Sequence, residues 1–366
     1  MPKKARRNPQ SVDAFDWPLA QTPRQGYAHA RGRPMPIFSA FADALVRPLL
    51  AGGFLSDADR ERLLAALPKA SGPELEALAR AADAVRRVRV GNAVSLCAII
   101  SAKSGRCGEN CAFCAQSGHF RTASPEHPFL DPAAIAAAAA AMRAAGVARF
   151  GIVASGKALP EAELALAARA LAGVAAAGLA ADASLGVLPR EALSRLKAAG
   201  LAAYHHNLET SRAHYPNICT TRTFDDNLEV LRVCRALGIP TCSGGLFGLG
   251  ETWADRADLA LTLLEAGVSS VPVNFLSPIP GTPLADQPVL SRDEARRIVI
   301  LLRLLLPDRH IRICGGRPTV FGPTTENLAP MACGADGLMV GDYLTTGGAS
   351  LDADKAGLQD LGLSLS

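Results

Sequence analysis

The sequence predicts an α/β protein built as a (β/α)8 barrel of the TIM type, preceded by an N-terminal helical extension. Three observations carry this expectation. Eight apolar runs have strand length, helical patterns separate them, and 366 residues that are 49% hydrophobic can bury one large core.

In chain order, residues 1–35 are rich in Pro, Arg and Gln, lack periodicity, and read as a loose tail. The basic run Lys3-Lys4-Ala5-Arg6-Arg7 belongs to that solvated terminus. From 36 to 88 the pattern is helical, with Ser56 and Ser71 placed as N-caps before Asp57-Ala58-Asp59 and Gly72-Pro73-Glu74. Strand-length apolar runs follow near 93–100, 148–154, 180–187, 201–207, 239–247, 270–276, 310–314 and 336–341. Helical patterns lie near 131–145, 160–178, 190–199, 224–237, 252–267, 291–306 and 324–333. The alanine run 136–141 reads as helix, because alanine is the best helix former. The barrel therefore spans 89–345, and 346–366 is left as a C-terminal tail. An open doubly wound sheet is the competing arrangement, weakened by the absence of a GxGxxG turn after the first strand.

Composition excludes several function classes. The net charge is +4 and no basic stripe is present, so no nucleic-acid surface is expected. No run reaches the roughly 18 apolar residues of a membrane span, and no secretion signal is evident. Nine cysteines, an odd number with one tight cluster, favour thiolate ligands in a reducing compartment over disulfides, hence a cytoplasmic protein.

That cluster is Cys107-Gly-Glu-Asn-Cys111-Ala-Phe113-Cys114, directly after the first strand. Barrels carry their reactive groups on loops leaving the C-terminal strand ends. Three closely spaced thiolates suit three irons of a [4Fe-4S] cubane. The next cysteine is Cys219, far along the chain, which leaves one iron open to another ligand. A zinc site completed by His119 is the structural alternative. Phe113 before the third Cys agrees with the CxxxCxφC pattern of radical S-adenosylmethionine (SAM) enzymes, in which the open iron chelates SAM.

The loop from Ser104 to Ser117 resembles that of biotin synthases. So do Tyr204-His-His206-Asn207-Leu-Glu209-Thr210-Ser211, Tyr215 to Thr223, Cys242 to Thr252, and Val271 to Leu284, in order from about 90 to 345. The resemblance implies conversion of dethiobiotin to biotin. A reduced [4Fe-4S] cluster cleaves SAM, the 5′-deoxyadenosyl radical abstracts hydrogen from dethiobiotin, and an auxiliary iron–sulfur cluster donates sulfur. It also implies a flavodoxin or ferredoxin as electron donor, and a homodimer.

Cys107, Cys111 and Cys114 would ligate the SAM cluster, and Asn207 and Glu209, two apart on one strand, would hold SAM. Phe113 would line the same site. Asn274 would meet the ureido ring of dethiobiotin. His205 stands where many members have Asn, which leaves the other ureido contacts open.

The auxiliary site departs from the family pattern of three Cys and one Arg. Cys242 and Arg312 match, whereas Gly151 and Asp182 occupy the other two ligand positions. Carboxylate is a poor substitute for thiolate on such clusters. Cys97 and Cys314 offer two further thiols, Cys314 facing the lumen with Arg312 because strand side chains alternate. The expectation is an auxiliary cluster held by Cys97, Cys242 and Cys314, with Asp182 or Cys333 as a possible addition and [2Fe-2S] or a variant as its type. Cys219 and Cys234 read as non-ligands. The rival readings are a radical SAM enzyme without sulfur insertion and a non-catalytic zinc or iron–sulfur scaffold.

Overall fold

The computed structural model describes residues 39–322, 325–341 and 350–366. The stretch 1–35, expected as a loose tail, lies outside them. The extension holds α1 (Ala40–Leu50), α2 (Asp57–Ala66) and α3 (Gly72–Arg89). Both capping serines sit where expected. Ser56 Oγ accepts a hydrogen bond from Asp59 N at 3.2 Å, whereas Ser71 caps α3 with no side-chain bond and Pro73 supplies the first-turn rigidity.

Strands and helices then alternate: β1 (Ala93–Lys103), α4 (Pro132–Ala144), β2 (Arg149–Ala154), α5 (Glu161–Ala176), β3 (Ala180–Ser184), α6 (Arg190–Ala198), β4 (Leu201–His205) and α7 (Phe224–Ala236). The second half runs β5 (Thr241–Cys242), β6 (Gly245–Phe247), α8 (Trp253–Ala266), β7 (Ser270–Phe275), α9 (Arg292–Leu305), β8 (His310–Ile313), α10 (Arg317–Phe321) and β9 (Gly337–Met339). All pairings are parallel, and β9 pairs with β1 to close an eight-stave barrel. That closure leaves the barrel with no open sheet edge.

The run 239–247, read as one strand, is split into β5 and β6. Both pieces run along β7, and a Cβ on Gly244, between them, would stand 2.0 Å from Pro272 O, so only glycine fits this close approach. The helix expected at 324–333 is instead the short α10 followed by a 3-10 segment, Thr325–Cys333, with Pro330 inside it. Residues 351–366 carry α11 (Leu351–Asp360) and β10 (Ser364–Leu365), which pairs with the start of β1. A buried bidentate ion pair, with Arg317 donating two hydrogen bonds to Asp354 at 2.8 and 2.7 Å, fastens α11 to α10.

Register decides which side chains share the lumen. Across neighbouring strands, Cys97 pairs with Arg149, Gly151 with Asp182, His205 with Cys242, Pro272 with Arg312, and Cys97 with Met339. Paired residues in a parallel sheet point to one face. The aliphatic core lies between these strands and the helix ring.

Candidate functional site

The cysteine loop leaves the C-terminal end of β1 and folds back on itself. Cys107 N donates to Gln116 O at 3.0 Å, Gly118 N to Cys107 O at 2.7 Å, and Cys114 N to Cys111 O at 2.9 Å. Cys107 and Cys114 are half-buried and Cys111 is buried. Arg106, just before the first cysteine, holds φ +49°, a left-handed conformation that costs a non-glycine residue on the order of 1–3 kcal/mol.

A second loop, after β4, clamps the first. Asn110 Nδ2 donates to Thr220 Oγ1 at 2.7 Å, and Asn110 Oδ1 accepts from Thr220 N and Thr221 N at 2.9 and 3.2 Å. Ala112 N donates to Ile218 O at 2.8 Å. Buried Glu109 accepts from Thr221 Oγ1 at 3.2 Å and faces Arg222 at 3.8 Å. Motif reading missed Glu109 and Asn110, because their partners lie more than a hundred residues away.

His119, the residue that would complete a zinc site, is exposed, with its Nε2 bonded to Gly108 O at 3.0 Å. Among the described residues no three His, Cys, Asp or Glu side chains converge on one ion. A cubane takes one thiolate per iron and does not need that convergence.

Asn207 and Glu209 meet, though not for the expected reason. β4 ends at His205, and Glu209 turns to φ +69°. Their side chains are joined by Asn207 Nδ2 donating to Glu209 Oε2 at 3.4 Å, while Asn207 Oδ1 accepts from Gly244 N at 3.3 Å. Burial pushes the Glu209 carboxyl up to about 7 against the pull of Arg222. Phe113 packs, half-buried, against the core beneath the loop. Asn274 bridges two strand ends, donating to Gly245 O at 3.2 Å and accepting from Gly315 N at 3.0 Å.

Deeper in the lumen, Cys97, Cys242, Cys314 and Arg312 are each at most 5% exposed. Cys97 and Cys314 pack together with Met339 and Ile99. Burial raises all three thiols, Cys242 to about 11, while Arg312 opposes that rise. Arg312 donates to Ser95 O at 2.8 Å and lies in a recess opened by Gly337, where a Cβ would come within 3.0 Å of the guanidinium. No carboxylate lies within ion-pair distance of Arg312 among the described residues.

Asp182 is committed elsewhere. Arg149 grips it with two bonds of 2.9 and 2.6 Å, and His205 Nε2 lies 3.1 Å from the same carboxylate. Burial would raise this carboxyl, but the Arg149 charge and His205 more than offset it and hold it below the usual range. The structure therefore does not offer Asp182 as a free ligand. Cys333 is also set apart, bonded to Ala329 O at 3.5 Å beside Arg296, not in the lumen. Cys234 is buried in α7.

The radical SAM superfamily model matches residues 102–263, and the biotin and thiamin synthesis associated domain matches 272–364. The biotin synthase of Syntrophotalea carbinolica is 44% identical over 322 residues, covering 87% of this chain and 97% of that protein. That of Trichlorobacter lovleyi is 45% identical over 328 residues, covering 88% and 95%. Among solved structures, methylornithine synthase superposes with a TM-score of 0.74 at 21% identity, covering 88% of this chain and 97% of that one. The FeFe-hydrogenase maturase of Carboxydothermus hydrogenoformans gives 0.73 at 18%, covering 88% and 78%. The two structures are alike in fold alone.

Proposed function

The chain belongs to the biotin synthases, and on that premise we propose that it inserts sulfur into dethiobiotin using an auxiliary cluster with an altered ligand set. The observation that carries the altered set is Arg312, a buried guanidinium with no carboxylate within ion-pair distance among the described residues, set among Cys97, Cys242 and Cys314. A buried charge left uncompensated costs several kcal/mol. An anionic, sulfur-rich group between those thiols would supply the missing negative charge, so the donor set fits an iron–sulfur cluster.

Cys107, Cys111 and Cys114 would hold the [4Fe-4S] cluster on the loop fastened by Asn110. Glu209, whose carboxylate form is favoured by Arg222, would accept the ribose hydroxyls of SAM, and Asn207 stands beside it to bond the same ligand. Phe113 closes the floor of that site. When bound, the two clusters and SAM would supply electron transfer, the hydrogen-abstracting radical and the sulfur. Asn274 keeps one N–H and one lone pair for the ureido ring, and His205 presents a ring fixed by Asp182 to the same lumen. Buried Cys97 and Met339, with half-buried Ile99 packed on them, would exclude water from the reacting carbons. Family membership also supports a flavodoxin or ferredoxin donor, a homodimer and a cytoplasmic location; no helix among the described residues is long and apolar enough to cross a membrane.

The test is anaerobic reconstitution followed by mass spectrometry with SAM, a reductant and dethiobiotin. Biotin together with 5′-deoxyadenosine is expected, with iron well above four per chain. Formation of 5′-deoxyadenosine without biotin, at about four irons, would leave a radical SAM enzyme acting on another substrate.

A further inference from the structure

Of the three cysteines that neither cluster uses, Cys219, Cys234 and Cys333, Cys219 lies against a proposed cluster ligand. Its Sγ is 3.7 Å from Cys111 Sγ, and it is buried. The contact is built into the architecture, because the two loops that carry these residues are joined through Asn110 and through Ala112 N to Ile218 O.

We infer that Cys219 is a positioning residue whose S–H hydrogen-bonds the Cys111 sulfur and raises the reduction potential of the cluster that Cys111 binds. The inference rests on the cluster reading above. With both thiols protonated, Cys111 is the donor. Once Cys111 binds iron it has no proton, and only Cys219 can donate. Thr221 Oγ1, 3.6 Å from Cys219 Sγ, is the competing acceptor. Its own proton is directed to Glu109 or Asn110, at 3.2 and 3.1 Å, and it accepts from Asn110 N at 3.0 Å. A neutral hydroxyl so engaged is a weaker acceptor than a metal-bound thiolate, since charged acceptors form the stronger bonds. Hydrogen bonds to ligand sulfurs stabilise the more electron-rich, reduced cluster, and outer-shell partners of this kind tune metal sites.

The test is an EPR-monitored redox titration of the reconstituted full chain, comparing wild type with Cys219→Ser and Cys219→Ala at matched iron content. Cys219→Ala is expected to lower the reduced-to-oxidised ratio at fixed poise about tenfold, which is about 59 mV for a one-electron couple. Cys219→Ser keeps a donor and is expected to retain most of the wild-type potential. Equal shifts in both variants would assign the effect to packing and overturn the hydrogen bond, as would an Ala variant with the wild-type potential. A wild-type chain that assembles no SAM-cleaving cluster would overturn this inference and the cluster reading together. Normal cluster assembly with unmoved potentials would overturn this inference alone.

Discussion

Replacing Asp182 by Asn should destabilise the cluster-free protein at neutral pH. The substitution preserves shape but removes the negative charge that Arg149 grips inside the barrel, where Asp182 is 1% exposed. Two bonds of 2.9 and 2.6 Å lose their ionic character, and the His205 contact at 3.1 Å weakens. Breaking a buried pair from one side costs about 3–5 kcal/mol. At about 2 °C per kcal/mol for a large domain, the Tm should fall by roughly 6–10 °C. Anaerobic thermal unfolding followed by circular dichroism reads this directly. The pH dependence has a definite sign. Asp182 has a depressed native pKa, so its contribution is complete above the ordinary carboxylate value of about 3.9 and disappears as pH falls through the lower native value. The gap between wild type and variant should therefore stay constant from about pH 5 to about pH 8 and close only in stronger acid. The double variant Arg149→Met with Asp182→Asn should regain much of the loss, because removing both charges removes the desolvation cost. An unchanged Tm for Asp182→Asn, or a gap that opens in acid, would refute the reasoning.

Cys97→Ser or Cys314→Ser should lower the iron count and abolish biotin formation while 5′-deoxyadenosine still forms; unchanged iron and biotin would remove both residues from the auxiliary site. Arg312→Met should leave the Tm of the cluster-free protein unchanged or higher, because a buried charge without a carboxylate partner is lost, yet should reduce sulfur insertion; a marked fall in Tm would mark Arg312 as purely structural. Glu209→Gln should weaken SAM binding about 10- to 100-fold, the worth of a hydrogen bond to a charged acceptor, as measured by equilibrium dialysis against the reconstituted protein. Asn274→Ala should raise the KM for dethiobiotin more than it lowers the rate of SAM cleavage, and equal effects on both would place its role in the fold.

The barrel was legible because its signal is local. Strands β1 to β4 and β7 to β9 coincide with apolar runs, and the three cysteines of the loop after β1 fall within eight residues. What stayed hidden depends on long-range register or on a single dihedral. The split of the fifth stave follows from Gly244 touching Pro272, a contact across strands. The Asn207–Glu209 contact was anticipated from strand alternation, but it arises after the strand has ended, through the left-handed turn at Glu209. Likewise Asp182 reads in sequence as a substituted ligand, because its captor Arg149 lies on another strand, 33 residues away. Cys219 reads as an isolated loop thiol, because the loop that holds it against Cys111 is fixed by side chains 110 residues apart.

The two lumen arginines set the electrostatics around Gly151 and Asp182. Arg149 and Arg312 bring two positive charges into a nearly dry space, and Asp182 cancels the first. Gly151, paired with Asp182 across β2 and β3, leaves little room of its own, since a Cβ there would already meet Ile99 at 3.2 Å. This side of the barrel is thus closed electrostatically and sterically, with no thiol to offer. The adjoining side, where β8 and β9 meet β1, holds Arg312 with no carboxylate in ion-pair reach among the described residues, and gathers Cys97, Cys314 and Met339. Cys97, Cys242 and Cys314, on or beside β1, β5 and β8, are therefore the thiols that would hold an auxiliary cluster, next to Arg312, whereas Asp182 on β3 is already taken by Arg149.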